Sequence, residues 1–167
     1  MNRAFVGIGS NLGNRLDNLR RAVHLLDDRG VRVLRSSRVY ETEPVGGPPQ
    51  PDYLNAVIEV ETGGTARDLL RACLETERAL GRVRGERWGP RVIDLDVLTF
   101  GAREIDEPDL QVPHPRMHER GFVLIPLLEL EADPPLPGRR KVQSLRLGTV
   151  TLAGVRPFAP PLDAPTK

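Results

Sequence analysis

Two carboxylates at alternate positions, Asp94 and Asp96 in the stretch RVIDLDVL from Arg91 to Leu98, are the side chains best placed to hold a divalent cation. On a strand, that spacing puts both on one face about 7 Å apart at Cα, with Ile93, Leu95 and Val97 turned to the core. Neighbouring carboxylates on a largely buried strand oppose each other's ionisation. A hard cation removes that cost, and Mg²⁺ takes one or two carboxylates together with substrate phosphates. Alone, D-x-D also describes a solvated strand end paired with arginines. The preceding stretch shifts the balance: GRVRGERWGPR holds Arg82, Arg84, Arg87, Arg91 and Trp88, the chain's single tryptophan. Arginines beside metal-binding carboxylates neutralise charge that builds on a transferred phosphoryl group. The glycines let this loop close over a nucleotide.

Other positions carry weaker signals. Tyr53 and Asn55 share the polar face of one stretch, where an aromatic ring beside an amide suits a flat, hydrogen-bonding heterocycle or an ordinary half-exposed face. His114 between two prolines, followed by Arg116, His118 and Arg120, reads as a surface loop or a second phosphate-contacting patch. The amino-terminal GIGSNLGN has neither the dinucleotide spacing nor a following Gly-Lys-Ser/Thr, so its glycines point to close backbone packing at a helix start. His24 and Cys73 are expected to be structural, and one cysteine excludes an internal disulfide.

The elements that must position these groups follow from periodicity. Arg3 to Gly9 reads as a strand, with Ser10 or Asn11 turning the chain into a helix over about 14–29 on a Leu16, Leu19, Val23, Leu26 stripe. A strand over 31–40 precedes a loop, EPVGGPPQPD, with four prolines and two glycines, long enough to suggest function. Tyr53 to Glu61 alternates as a strand, with Leu54, Ala56, Ile58 and Val60 on one face. Thr65 with Asp68 forms a weakened capping box for a helix to about Leu80, and Val92 to Phe100 is the last strand of a βαββαβ pattern. The fold class is thus α+β, a ferredoxin-like split βαβ sheet with helices on one face. A short hairpin (GAREI), an apolar helix over about 121–131 and a Pro-rich extension over 133–167, mobile after Val155, complete one domain whose catalytic part is residues 1–132.

The 167 residues, 28% charged with a formal net charge of +1, suit one ordinary globular domain and argue against a dedicated nucleic-acid or membrane binder. Twenty-two of the 24 cationic residues are Arg, the better partner for phosphate and carboxylate, although codon bias gives the same preference. No signal peptide or spanning segment stands out, so cytoplasm is the expected compartment.

In combination these stretches resemble 6-hydroxymethyl-7,8-dihydropterin pyrophosphokinase of folate biosynthesis. The resemblance runs from Ala4 to Ala132 through GIGSNLGNR, SRVYETEPVG, PDYLNA, ALGRVRGERWGPRVIDLDVL and VPHPRMHERGFVLIPLLEL. It implies a ferredoxin-like monomer that passes the β,γ-pyrophosphoryl group of ATP to the pterin hydroxymethyl and releases AMP. By matching position it implies that Asp94 and Asp96 hold two Mg²⁺ ions, and that Arg82 and Arg91 are catalytic-loop arginines with Arg84 nearby. It further implies a pterin pocket of Thr42, Val45, Tyr53, Asn55, Trp88 and Phe122. The nucleotide side is implied to be Glu77, Arg82, Arg84, Arg91, Leu98, His114 and Arg120. Leu74, where family members often carry Gln, and Pro115, where some carry an aromatic residue, depart from the pattern. The alternatives are a Mg²⁺-dependent phosphotransferase with another acceptor and an RNA-binding α+β module.

Overall fold

The computed structural model describes residues 1–44, 46–81, 90–145 and 154–162 of the chain. Its sheet is built around β1 (Asn2–Ser10) and β4 (Tyr53–Thr62), which pair antiparallel along their whole length, Asn2 with Thr62 and Ser10 with Leu54. On the outer side of β1 lies β5 (Asp94–Phe100). On the other side of β4 lie β2 (Arg32–Ser36) and β3 (Val39–Thr42), end to end. The stretch expected as one strand over 31–40 is therefore two. Ser37 breaks it: its N–H donates to Val57 O at 2.8 Å, and its Oγ accepts the Val57 N–H at 3.0 Å. A side-chain oxygen thus stands in for a ladder carbonyl, and the chain steps sideways.

Helices α1 (Arg15–Asp28) and α2 (Ala66–Ala79) cover one face. Leu19, Val23 and Leu26 of α1, with Leu69 and Cys73 of α2, meet Ala4, Val6 and Ile8 of β1, Leu54, Ala56, Ile58 and Val60 of β4, and Leu95 and Val97 of β5. Burial raises the Cys73 thiol well above its ordinary range. The N-cap of α1 is Asn14 rather than Ser10 or Asn11, and the capping box on α2 is complete in both directions between Thr65 and Asp68. His24 is exposed on α1.

The opposite face carries a second apolar layer. Helix α3 (Gly121–Leu130), reached after the hairpin β6 (Ile105–Glu107) and β7 (Leu110–Val112), sets Val123, Leu124 and Leu127 on Phe5, Val57 and Leu98. The helices of the split pattern thus lie on one face as expected, while α3 covers the other. That covering argues against the open sheet face on which an RNA-binding module stacks bases. The hairpin sits slightly later than GAREI, with Gly101–Ala102 forming the turn before it.

Residues 156–162 depart from the expectation of mobility after Val155, while residues 163–167 lie outside the described residues. Residues Arg156–Ala159 form a strand, β8, antiparallel to β3, with Arg156 opposite Glu41. Leu162 is 6% exposed within the main core. The sheet order is β5-β1-β4-β3-β8, with β2 also on β4. Among the described residues no helix is long and apolar enough to cross a membrane.

Candidate functional site

Alternation on a strand sends Asp94, Asp96 and Leu98 to the face opposite α1 and α2, and pairing carries that face across the sheet. Gly7 lies between Asp96 and Val57, and Gly9 between Asp94 and Asn55. Two glycines on the central strand leave a bare backbone floor, so a trough runs from the β5 carboxylates to the β4 amide. A Cβ on Gly9 would stand 2.5 Å from Asn55 Oδ1, which explains why glycine occupies this position. The trough belongs to a cavity of about 580 Å³.

One end of the trough is built around a buried amide and two aromatic rings. Asn55 is buried; its Nδ2 donates to Thr42 Oγ1 at 2.6 Å, and its Oδ1 lies over the Gly9 backbone. This assignment of the amide follows from the hydrogen bond it makes. Tyr53 and Phe122 flank it, each partly exposed, and both border the cavity. Arg120 lies over the Phe122 ring at 5.6 Å from the centroid.

The other end is charged. Asp94 and Asp96 are half-buried, and Arg91, His114, Arg116 and Arg120 border the same cavity. Burial lowers the Arg120 pKa, opposed by Asp96 and Asp94, yet a guanidinium remains charged at any physiological pH. Burial, then the charges of Arg120 and Arg116, bring His114 down to about 4. Its Nδ1 accepts the Arg116 N–H at 3.2 Å, so the neutral ring carries its proton on Nε2, as a donor for an anionic oxygen. Among the described residues no three His, Cys, Asp or Glu converge as a complete metal site. Two carboxylates do fit magnesium held partly by substrate phosphates, and the donor set is all hard oxygen.

The structure therefore brings Thr42, Tyr53, Asn55, Arg91, Asp94, Asp96, Leu98, His114, Arg120 and Phe122 to one cavity. Glu77 is elsewhere: buried on α2, its Oε2 accepts the Leu95 N–H at 2.8 Å from behind β5, between the two aspartates in sequence. Leu74 is exposed on α2. Val45, Arg82, Arg84 and Trp88 lie outside the described residues.

Two asparagines went unrecognised as organisers of the site. Asn11 donates from Nδ2 to Gln50 Oε1 and Pro51 O, both at 2.9 Å, and its Oδ1 accepts the Arg91 N–H at 2.8 Å. Asn18 Nδ2 donates to Ser10 Oγ at 3.2 Å and Leu12 O at 2.9 Å. For Asn11 alone there was a local hint, since an Asn within S-N-L-G-N is suited to bonding backbone in loops; Asn18, inside α1, carried none.

An α+β sheet with a trough that pairs a carboxylate–arginine end with an amide–aromatic end defines an enzyme of phosphate chemistry on a flat heterocycle. Residues 5–132 match the family model described as 7,8-dihydro-6-hydroxymethylpterin-pyrophosphokinase (HPPK), and the chain belongs to that family. It is 46% identical over 134 residues to the 2-amino-4-hydroxy-6-hydroxymethyldihydropteridine pyrophosphokinase of Methylorubrum extorquens, covering 80% of this chain and 85% of the relative. The Bacillus subtilis enzyme of the same name is 46% identical over 130 residues, covering 77% and 78%. A solved HPPK-DHPS in complex with substrates superimposes with a TM-score of 0.66 at 12% identity, over 86% of this chain and 42% of that one. That likeness shows the fold, and this chain spans about two fifths of the solved chain's length.

Proposed function

We infer that this chain transfers the pyrophosphoryl group of ATP to the hydroxymethyl group of 6-hydroxymethyl-7,8-dihydropterin, releasing AMP, in folate biosynthesis. Family membership supports the reaction. The observation that carries it is the glycine-floored trough joining Asp94 and Asp96 to Asn55.

The pterin hydroxyl oxygen attacks the β-phosphorus in line. The bond from that phosphorus to the oxygen bridging it to the α-phosphate breaks, AMP leaves with the electron pair, and the hydroxyl proton passes to solvent. Catalysis of this kind rests on positioning and charge neutralisation. Asn55 reads the ring edge while Tyr53 and Phe122 flank its faces, with Thr42, Val45 and Trp88 completing the pterin side. Arg91, His114 and Arg120, with Arg82, Arg84 and Leu98, serve the nucleotide side, while Glu77, outside the cavity, acts through the β5 backbone it holds at Leu95. Asp94 and Asp96 are the groups that would hold magnesium, with two ions expected, and when bound it supplies positive charge to the phosphate oxygens. Residues 1–132 form the catalytic part of a cytoplasmic monomer.

Incubation with ATP, Mg²⁺ and the reduced pterin is expected to yield AMP and the pterin diphosphate in equal amounts. ADP as the product would make the chain an ordinary kinase and overturn the reading.

A further inference from the structure

The loop over 43–52 forms one wall of the trough, through Glu43, Pro44, Gly46, Gly47 and Gln50. Its two stems are Glu41, near the end of β3, and Asp52, just before β4. Two arginines from outside the loop hold these stems together. Arg15, at the start of α1, donates through Nη1 to Glu41 Oε2 at 2.8 Å and to Asp52 O at 3.0 Å. Arg156 of β8 donates through Nη2 to Glu41 Oε1 at 2.7 Å and to Asp52 Oδ2 at 2.8 Å. Both oxygens of Glu41 are thus engaged, one by each arginine, and the Phe158 ring lies 5.5 Å from the Arg15 guanidinium. The Arg15 hydrogen bond, followed by that of Arg156, lowers the Glu41 pKa, which keeps the clasp ionised at neutral pH.

The segment carrying Arg156 is itself fixed. Leu162 is buried in the main core and β8 pairs with β3. Gly154, at φ 68°, lies so close to the Glu43 side chain that a Cβ there would meet Glu43 Cγ at 2.5 Å. The carboxyl-terminal segment therefore presses on the pocket wall at Glu43 and ties its stems through Arg156.

We propose that Arg156 is a positioning residue for the acceptor pocket: with Arg15 it clasps the stems of the 43–52 loop, so that β8 presets the wall against which the pterin binds. The consequence for binding follows from preorganisation, because a wall already ordered does not have to be ordered when the ligand arrives. Clasping stems matters more than the modest stability of exposed ion pairs. A single nitrogen of Arg156 makes both contacts, so a lysine ammonium, with three donors on one atom, meets the same need.

The proposal rests on the pterin reading above, and its test has one arm that does not. In steady-state assays Arg156→Ala is expected to raise KM for the pterin about fivefold to tenfold, leaving kcat and the KM for ATP within about twofold, by analogy with the loss of one or two charge-assisted hydrogen bonds. Arg156→Lys is expected to recover most of that loss. Raising the salt concentration should weaken pterin binding more in the wild type than in Arg156→Ala, where only the Arg15 half of the clasp is left to screen. In the substrate-free arm, amide hydrogen exchange over residues 46–52 is expected to quicken in Arg156→Ala and to return in Arg156→Lys. Unchanged exchange in the alanine variant overturns the clasp, whether or not the wild type turns over the pterin. Faster exchange with an unchanged pterin KM overturns the positioning role alone. If the wild type makes no AMP, the pterin reading fails and the exchange arm still decides the clasp.

Discussion

At the β4 end of the trough the binding groups are held by neighbours: Asn55 by Thr42, the loop stems by Arg15 and Arg156, and the floor by a glycine with no room for a methyl. At the β5 end, carboxylates, guanidiniums and a neutral imidazole share one half-exposed basin. The first end is shaped before any ligand arrives and can discriminate by geometry. The second gathers charge of both signs and can neutralise charge on what binds there. In the proposed reaction, selection of the acceptor and neutralisation of the transferred group fall to different physics on the two strands that flank β1.

The largest effect should come from the charged end. Asp94→Ala or Asp96→Ala is expected to reduce AMP formation by at least about 10³-fold, or about 4 kcal/mol of barrier, as when charge stabilisation is lost in phosphoryl transfer. Near-normal turnover in both variants would show that the carboxylates are not the cation-holding groups. A smaller effect with a different signature is expected at the shaped end. Asn55→Ala should raise the pterin KM about tenfold to a hundredfold, the range for a binding group left without its hydrogen bond, while the KM for ATP stays put. Gly9→Ala, by pushing on the same amide, should fall in the same direction and by less. A rise in both KM values would dissolve the division between the ends.

The smallest effect concerns His114 and acidity. Its folded pKa, about 4, lies below the ordinary value of 6.5. Between those values the unfolded chain binds more protons than the folded one, so stability falls as the pH drops through 6.5 toward 4. In thermal melts across that window, His114→Gln is expected to flatten the slope. An unchanged slope would mean that the imidazole is not kept neutral at the charged end.

Much of this design was readable in the chain. Alternation in Tyr53–Glu61 assigned the core face of β4 correctly, because a period of two needs no knowledge of partners. The D-x-D spacing with Arg91 announced the charged end for the same local reason. The expected pattern did not reveal that the second face of β4 is also buried, since the covering helix α3 comes from residues 121–130. Nor could it reveal β8, whose pairing partner Glu41 is 115 residues away from Arg156. Asn11 and Asn18 were missed because their partners in the 50–51 and 90–92 segments are distant, and a single amide leaves no periodic trace.

The second apolar layer, where α3 packs on Phe5, Val57 and Leu98, stops at Gly7 and Gly9. At those two positions β1 presents bare backbone to the cavity, and in the proposed reaction a substrate seated there covers a floor that no side chain of the strand covers. Occupancy and heat resistance are then linked, because a ligand bound only by the folded chain shifts unfolding by mass action. The melting curve of this protein will report how full its trough is.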